Sequence, residues 1–373
     1  MKKKVIAAGH ICLDITPVFP DVKAESLDQI LSPGKLVQMK NVDVHTGGAV
    51  ANTGLAMKLL GADVTLIGKL GKDAFGDMVI NVLKRYDAQK DMVISDQEST
   101  SYSVILAIPG IDRIFLHNPG ANDAFLPGDV KEELLGEAAL FHFGYPPLMK
   151  SMYEQEGKEL AGLLWKAKKA GAATSLDMAA IDAASEAGRA NWKAILEKAL
   201  PAVDFFVPSV EELCYMLDRS RFDEWQERAA GKDVTEILNI ETDVKPLADQ
   251  CMALGCKVLL IKCGAPGMYL RTADRGSLEK ISKRAELTSE LWADREIFEK
   301  SYIPERIRSG TGAGDTSIAA FLTVVLDGCG PEECMHLAAA AGASCVEEYD
   351  ALSGIKSLDT LKKRIRQGWK KYE

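Results

Sequence analysis

The chain has 373 residues, enough for one large domain or two modest ones, and its 47% hydrophobic and 27% charged residues are an ordinary globular composition. Its net charge of −9 is spread along the sequence rather than gathered in a tail, which argues against nucleic acid or an anionic membrane surface as partner and leaves local phosphate binding open. None of the eight cysteines forms a C-x-x-C and none of the five histidines an H-E-x-x-H, so no zinc signature is present.

Lys2 to Lys4 followed by Val5 to Ala8 mimic an export signal, but the apolar run is short and broken by Gly9 and His10. Residues 4–9 read better as a first β-strand. No apolar stretch is long enough to cross a bilayer. Cys12, Cys214, Cys263 and Cys345 lie in apolar stretches, as buried thiols of a reducing cytosol would. After an irregular segment, Gly47 and Gly48 open a helix over 49–60. A strand over 64–67 follows. Residues 68–73, with the wrong spacing for a phosphate loop, read as a turn before a helix over 73–86. Apolar runs at 102–108 and 113–117 flank Pro109-Gly110-Ile111-Asp112, a hairpin signal.

From residue 139 the pattern alternates. Strands are expected at 140–143, 173–177, 204–208 and 257–262, with helices such as 152–170 and 191–200 between them. This predicts a parallel sheet covered on both faces, with ligands outside the carboxyl ends of its strands. Asp14, Gly144, Asp177, Ser209 and Gly264 all follow predicted strands and so fall on one rim. Residues 218–245 are charged and helix-like, and 271–308 are polar with no clear pattern. Helices over 331–347 and 357–369 close the chain. The small-residue run Ala338 to Ala343 suits a close helix contact. No repeat or linker divides the sequence, which reads as a single domain.

Ser309 to Phe321 read S-G-T-G-A-G-D-T-S-I-A-A-F. A glycine-rich turn opening a helix leaves N–H groups unpaired at the positive end of the helix dipole, a site for an anion such as phosphate. The amides of Gly312, Ala313 and Gly314 would form it. Asp315 in the same turn would repel a phosphate. A carboxylate has a use there if it takes a proton from a hydroxyl that attacks the phosphate. The plainer alternative is a helix start with a capping Asp. The common phosphate loop, G-x-x-x-x-G-K-[ST], is missing, but a second glycine-rich block, T-G-G-A-V-A-N, lies at 46–52.

The block G-G-A-V-A-N-T-G-L-A-M-K-L-L-G-A with V-T-L-I-G-K-L-G-K-D-A-F-G, followed far downstream by S-G-T-G-A-G-D-T-S-I-A-A-F, resembles the two signatures of the ribokinase-like (PfkB) carbohydrate kinase family. The resemblance runs from the first strand to about Ile355. It implies an α/β three-layer fold with a mostly parallel central sheet and a small discontinuous β-lid, its segments at roughly 15–46 and 98–120. It also implies ATP-dependent phosphorylation of a sugar hydroxyl, with Mg2+. Asp315 would be the catalytic base, and Gly312, Ala313 and Gly314 the anion hole. Asp14, Gly47, Gly48, Asn52 and the lid residues Arg113 and Asn118 would hold the acceptor. A carboxylate such as Asp14 can accept two hydrogen bonds from a vicinal diol.

Val207 to Glu212 resemble the family's N-x-x-E, with Glu212 acting on Mg2+ through water and Ser209 standing in place of Asn. Lys262 to Gly267 resemble its T-x-G-x-x-G beside the nucleotide phosphates. Gly264 and Gly267 match, and Lys262 replaces Thr. Ser309, Gly310 and Thr311 stand where the family often has Asp-Thr-Thr around a monovalent cation. The lost carboxylate implies little dependence on potassium. Lid-to-lid homodimers are frequent in the family, and its adenine pocket falls near 338–343. Two rivals remain, a nucleoside kinase and a non-catalytic sugar-binding regulator. Ser209, Lys262 and Ser309 favour the regulator, and the intact G-A-G-D opposes it. A dehydrogenase would need G-x-G-x-x-G after the first strand, which is not there.

Overall fold

Along the strand Lys4–Gly9, Val5 and Ala7 belong to one apolar cluster, and Ile6 and Ala8 to another. The split recurs in Val258–Lys262, where Val258 and Leu260 part from Leu259 and Ile261. A strand covered on both faces needs apolar residues at every position. In the computed structural model, which describes residues 2–21, 24–111 and 113–372, these strands lie in an eight-stranded central sheet. Its spatial order is Glu296–Lys300, Gly267–Thr272, Val258–Lys262, Phe205–Phe206, Ala173–Asp177, Leu140–Gly144, Lys4–Gly9 and Asp63–Ile67. All neighbours pair in parallel except at the Gly267–Thr272 and Glu296–Lys300 edge, which is antiparallel.

The helices Ala49–Leu59, Ala313–Leu326 and Pro331–Cys345 cover one face, and Lys158–Lys169, Trp192–Ala199, Val210–Leu217 and Lys245–Ala253 the other. The small residues of Pro331–Cys345 let it lie close to Ala313–Leu326. A Cβ on Gly342 would sit 2.4 Å from Ser317 Oγ.

The structure corrects several expected boundaries. The helix expected over 152–170 breaks after Lys150–Tyr153 and resumes at Lys158–Lys169, because the chain turns left-handed at Gln155 and Glu156, φ 50° and 53°, and at Gly157, φ 71°, which packs on Ile195. The strand expected over 204–208 is only Phe205–Phe206, since Pro208 offers no N–H and Ser209 already caps the next helix. Within 68–73, Lys69–Gly71 is a short strand paired with Val93–Ser95. Residues 271–308 hold the end of Gly267–Thr272, two short helices, Arg275–Leu278 and Ser289–Trp292, and the antiparallel edge strand Glu296–Lys300.

A second, four-stranded sheet forms the lid, in the order Val42–Gly47, Cys12–Pro17, Tyr102–Leu106, Ile114–Asn118. Asp14 therefore lies inside a lid strand, not in the turn after the first strand. The expected hairpin is Tyr102–Leu106 against Ile114–Asn118; its turn residue Asp112 lies outside the described residues. Among the described residues no helix is long and apolar enough to cross a membrane.

Candidate functional site

Gly312 caps the helix Ala313–Leu326 with φ 76°, and a Cβ there would lie 2.2 Å from that of Ala351. Only glycine takes this turn without strain. Among the described residues the amides of Gly312 and Gly314 have no hydrogen-bond acceptor, whereas that of Ala313 donates to the Gly310 carbonyl at 3.3 Å. Two of the three expected anion-hole donors are therefore free, and the third is engaged in the turn.

Asp315, 5% exposed, is fixed by three donors. Tyr145 Oη donates to its Oδ1 at 2.7 Å and Thr53 Oγ1 to the same oxygen at 2.9 Å, while Asn52 Nδ2 donates to Oδ2 at 3.2 Å. Asn52 and Thr53 sit in the first turns of Ala49–Leu59. That helix starts at Gly48, where φ is 85° and a Cβ would meet the His10 carbonyl at 2.5 Å. Asn52 thus spends one amide hydrogen on Asp315 instead of a ligand.

Thr53 and Tyr145 were missed by the sequence reading. For Thr53 no local signal exists. Tyr145 follows Gly144 on the predicted rim and precedes two prolines, which mark a sharp turn. It is held in the left-handed region, φ 68° and ψ 42°, a conformation that clusters at functional sites. Burial above all, then the Asp315 and Asp177 charges, raises its phenol well above the usual range, so it stays a donor.

A cavity of about 900 Å³ lies between lid and body, with Asp14, His45, Asn52, Arg113, Thr311 and Asp350 on its wall. Gly47 and Gly48 are not on the wall. Gly47 makes room for Asp14, whose Oδ2 would be 2.1 Å from a Cβ there. Burial raises the Asp14 carboxyl, opposed by hydrogen bonds from Cys12 and Ser103. Arg113 reaches from the lid to the helix-start loop, donating to Ser309 Oγ at 2.9 Å and to Thr311 Oγ1. Asn118 stays in the lid, its Oδ1 accepting from the Gly120 amide at 3.1 Å.

On the other side of Asp315 the strand ends bring charges together. Lys262 Nζ donates to Asp177 Oδ1 at 2.8 Å, and Asp177 Oδ2 is buried with no partner among the described residues. Burial raises the Asp177 carboxyl, with Glu212 and Asp315 adding to the rise and the Lys262 ammonium, which favours the carboxylate, opposing it. Ser209 and Glu212 form a capping box for Val210–Leu217. Ser209 Oγ accepts from the Glu212 amide at 3.2 Å, and Glu212 Oε2 accepts from the Ser209 amide at 2.7 Å. Gly264 and Gly267 shape the hairpin turn between Val258–Lys262 and Gly267–Thr272, with φ 64° and 143°. A Cβ on Gly264 would strike Thr235 Oγ1 at 2.4 Å, so the charged 218–245 segment packs directly on this turn.

The sequence pattern of the pfkB family carbohydrate kinases matches residues 3–358. The chain is 22% identical over 306 residues to an uncharacterized sugar kinase of Archaeoglobus fulgidus, covering 82% of this chain and all of that one. It is 22% identical over 376 residues to the 5-dehydro-2-deoxygluconokinase of Clostridium perfringens, covering 100% of this chain and 95% of that one. Its fold matches that of Arabidopsis thaliana ribokinase, solved with ribose and ATP, with a TM-score of 0.70 at 20% identity, over 97% of this chain and 98% of that one. With a glycine-rich helix start, a buried carboxylate beside it and a β-lid over the adjoining cavity, the chain belongs to the pfkB family of carbohydrate kinases.

Proposed function

We propose that this protein transfers the γ-phosphoryl group of ATP to a hydroxyl of a sugar or sugar-derived small molecule, with Asp315 as general base. One observation carries the reading. Asp315 is buried and fixed by three donors, one turn from the unpaired amides of Gly312 and Gly314. Two residues tied to this centre, Asn52 and Thr311, also line the cavity under the lid.

In this reading Asp14 accepts hydrogen bonds from acceptor hydroxyls, and Arg113 closes the lid strand over the helix-start loop. As the acceptor oxygen bonds to the γ-phosphorus, its proton passes to Asp315 and the bond to the β-phosphate oxygen breaks. The Gly312 and Gly314 amides receive the negative charge on the phosphoryl oxygens. Ala313 joins them once its weak turn bond is released. Lys262, Gly264 and Gly267 flank the donor phosphates. Ser209 acts as a helix cap: its amide donates to Glu212 and its carbonyl accepts from Leu213, so a nucleotide contact would come from its hydroxyl hydrogen.

Asp177 Oδ2 and the surplus of carboxylates around one ammonium fit a divalent cation. Among the described residues no three ligands converge to hold it directly, so Glu212 and Asp177 would order its water shell. Mg2+ bound there supplies charge neutralisation for the triphosphate.

The chain acts as one unit, and its lids pair into a homodimer. Exposed Phe115 and Leu116 on the edge strand Ile114–Asn118 support this. A monomer by light scattering at micromolar concentration refutes the dimer. The activity is tested by coupled ADP release with MgATP over free sugars, sugar acids including 5-dehydro-2-deoxygluconate, and nucleosides. Turnover with a sugar or sugar acid and none with nucleosides supports the reading. ATP binding with no turnover on any acceptor favours the regulator.

A further inference from the structure

Lys262 ends the strand Val258–Lys262 with its side chain 15% exposed. A lysine ammonium taken out of water needs partners, and among the described residues its hydrogen-bond acceptor is Asp177 Oδ1, at 2.8 Å. Two of its three N–H groups remain to be used. The side chain runs past the anion hole: a Cβ on Gly314 would lie 3.3 Å from Lys262 Cδ and 3.8 Å from Nζ. The ammonium is thus beside the backbone whose amide has no acceptor.

Stability gives little reason for this arrangement. A buried ion pair is often no more stabilising than apolar residues of the same volume, and here Asp177 Oδ2 is left without a partner among the described residues. The ammonium also feels the negative charges of Glu212 and Asp315, so it is held from several sides near the point where phosphoryl oxygens would meet the Gly312 and Gly314 amides.

We infer that Lys262 is a catalytic residue that binds the transferring phosphoryl group, with Asp177 as the residue that positions it. The inference rests on the phosphoryl-transfer reading and extends it. The ammonium keeps its proton throughout and forms no covalent bond. Its free N–H groups turn to an oxygen of the γ-phosphoryl, and their charge offsets what develops there as the bond to the β-phosphate oxygen breaks. A ligand that ends at the β-phosphate leaves this contact unmade.

Isothermal titration of the full chain with a non-hydrolysable ATP analogue and with ADP, both with Mg2+ at fixed salt, tests this. Lys262→Met is expected to weaken the analogue by about tenfold to a hundredfold and ADP by less than about threefold. Lys262→Met alone leaves the Asp177 charge buried without its partner and can unfold the protein. The pair Lys262→Met with Asp177→Asn removes that charge; loss of the Asp177 contact to the Mg2+ water shell falls on both nucleotides alike, so the analogue must still weaken by about tenfold more than ADP. Equal losses for the two nucleotides, or no loss in a folded double variant, overturn the inference and leave the kinase reading standing. Wild-type protein that binds neither nucleotide overturns both.

Discussion

Asp315 is held by three neutral donors, Asn52 on the wall of the acceptor cavity and Thr53 and Tyr145 behind it. Toward the strand ends it faces charges, those of Asp177, Glu212 and Lys262. Neutral donors orient a carboxylate without cancelling its charge, as a base requires. On the other side, charge has to be matched against a highly anionic donor. The same carboxylate thus separates a region where geometry matters most from one where electrostatics does.

The sharpest way to break this contrast is to remove the group between the two sides. Asp315→Asn is expected to lower kcat by about a hundredfold to ten-thousandfold, with ATP affinity nearly unchanged by calorimetry. Next in size is Asp14→Ala, which should raise the acceptor KM by about fivefold to a hundredfold and leave the ATP KM alone; a shift in the ATP KM would place the ligands on the wrong sides. Asn52→Ala should lower kcat as well as raise the acceptor KM, because Asn52 touches both the cavity and Asp315.

Tyr145→Phe removes one donor to Asp315 and keeps the ring. A loss of about tenfold in kcat with an unchanged acceptor KM is expected. An unchanged kcat would mean that Asn52 and Thr53 orient the base unaided.

Asp14 gives a pH test with two opposite slopes. Its carboxyl is raised by burial, so between the ordinary carboxylate range and its folded value the native state holds more protons than the unfolded state. Stability then falls as pH rises through that window. The acceptor KM should fall over the same window as the accepting carboxylate forms. Asp14→Asn should flatten both slopes, in thermal melts and in kinetics.

The smallest expected effect is that of potassium. Ser309 and Thr311 are engaged by Arg113, so the loop is ordered by a side chain. Replacing potassium with sodium or tetramethylammonium at equal ionic strength should change kcat by less than about threefold, since no carboxylate of this loop draws a cation there. A potassium-specific activation of tenfold or more would refute this.

Much of the frame was legible because its signals are local. Lys4–Gly9 and Val258–Lys262 are built on unbroken apolar runs, Val5 to Ala8 and Val258 to Ile261, and Gly312 to Asp315 announce a helix start. What was illegible depends on distant partners. Tyr145 meets Asp315 across 170 positions and Thr53 across 262, and no local pattern encodes such meetings. The Glu296–Lys300 strand was hidden because an edge strand needs no apolar alternation. Ser209 and Glu212 show a different kind of ambiguity. Their S-x-x-E spacing is also that of a capping box, and the hydroxyl serves the helix.

The bonds from Arg113 to Ser309 and Thr311 join the lid to the loop that opens the helix of Asp315. A guanidinium fastened to hydroxyls gives way more easily than one fastened to a carboxylate, since only one partner is charged. Lid opening therefore faces a modest barrier, and an acceptor that arrives in the wrong pose can leave before any phosphoryl group moves. Replacing either hydroxyl with a carboxylate would lengthen the residence time of right and wrong guests alike, so the weakness of this fastening lets wrong guests go before they react.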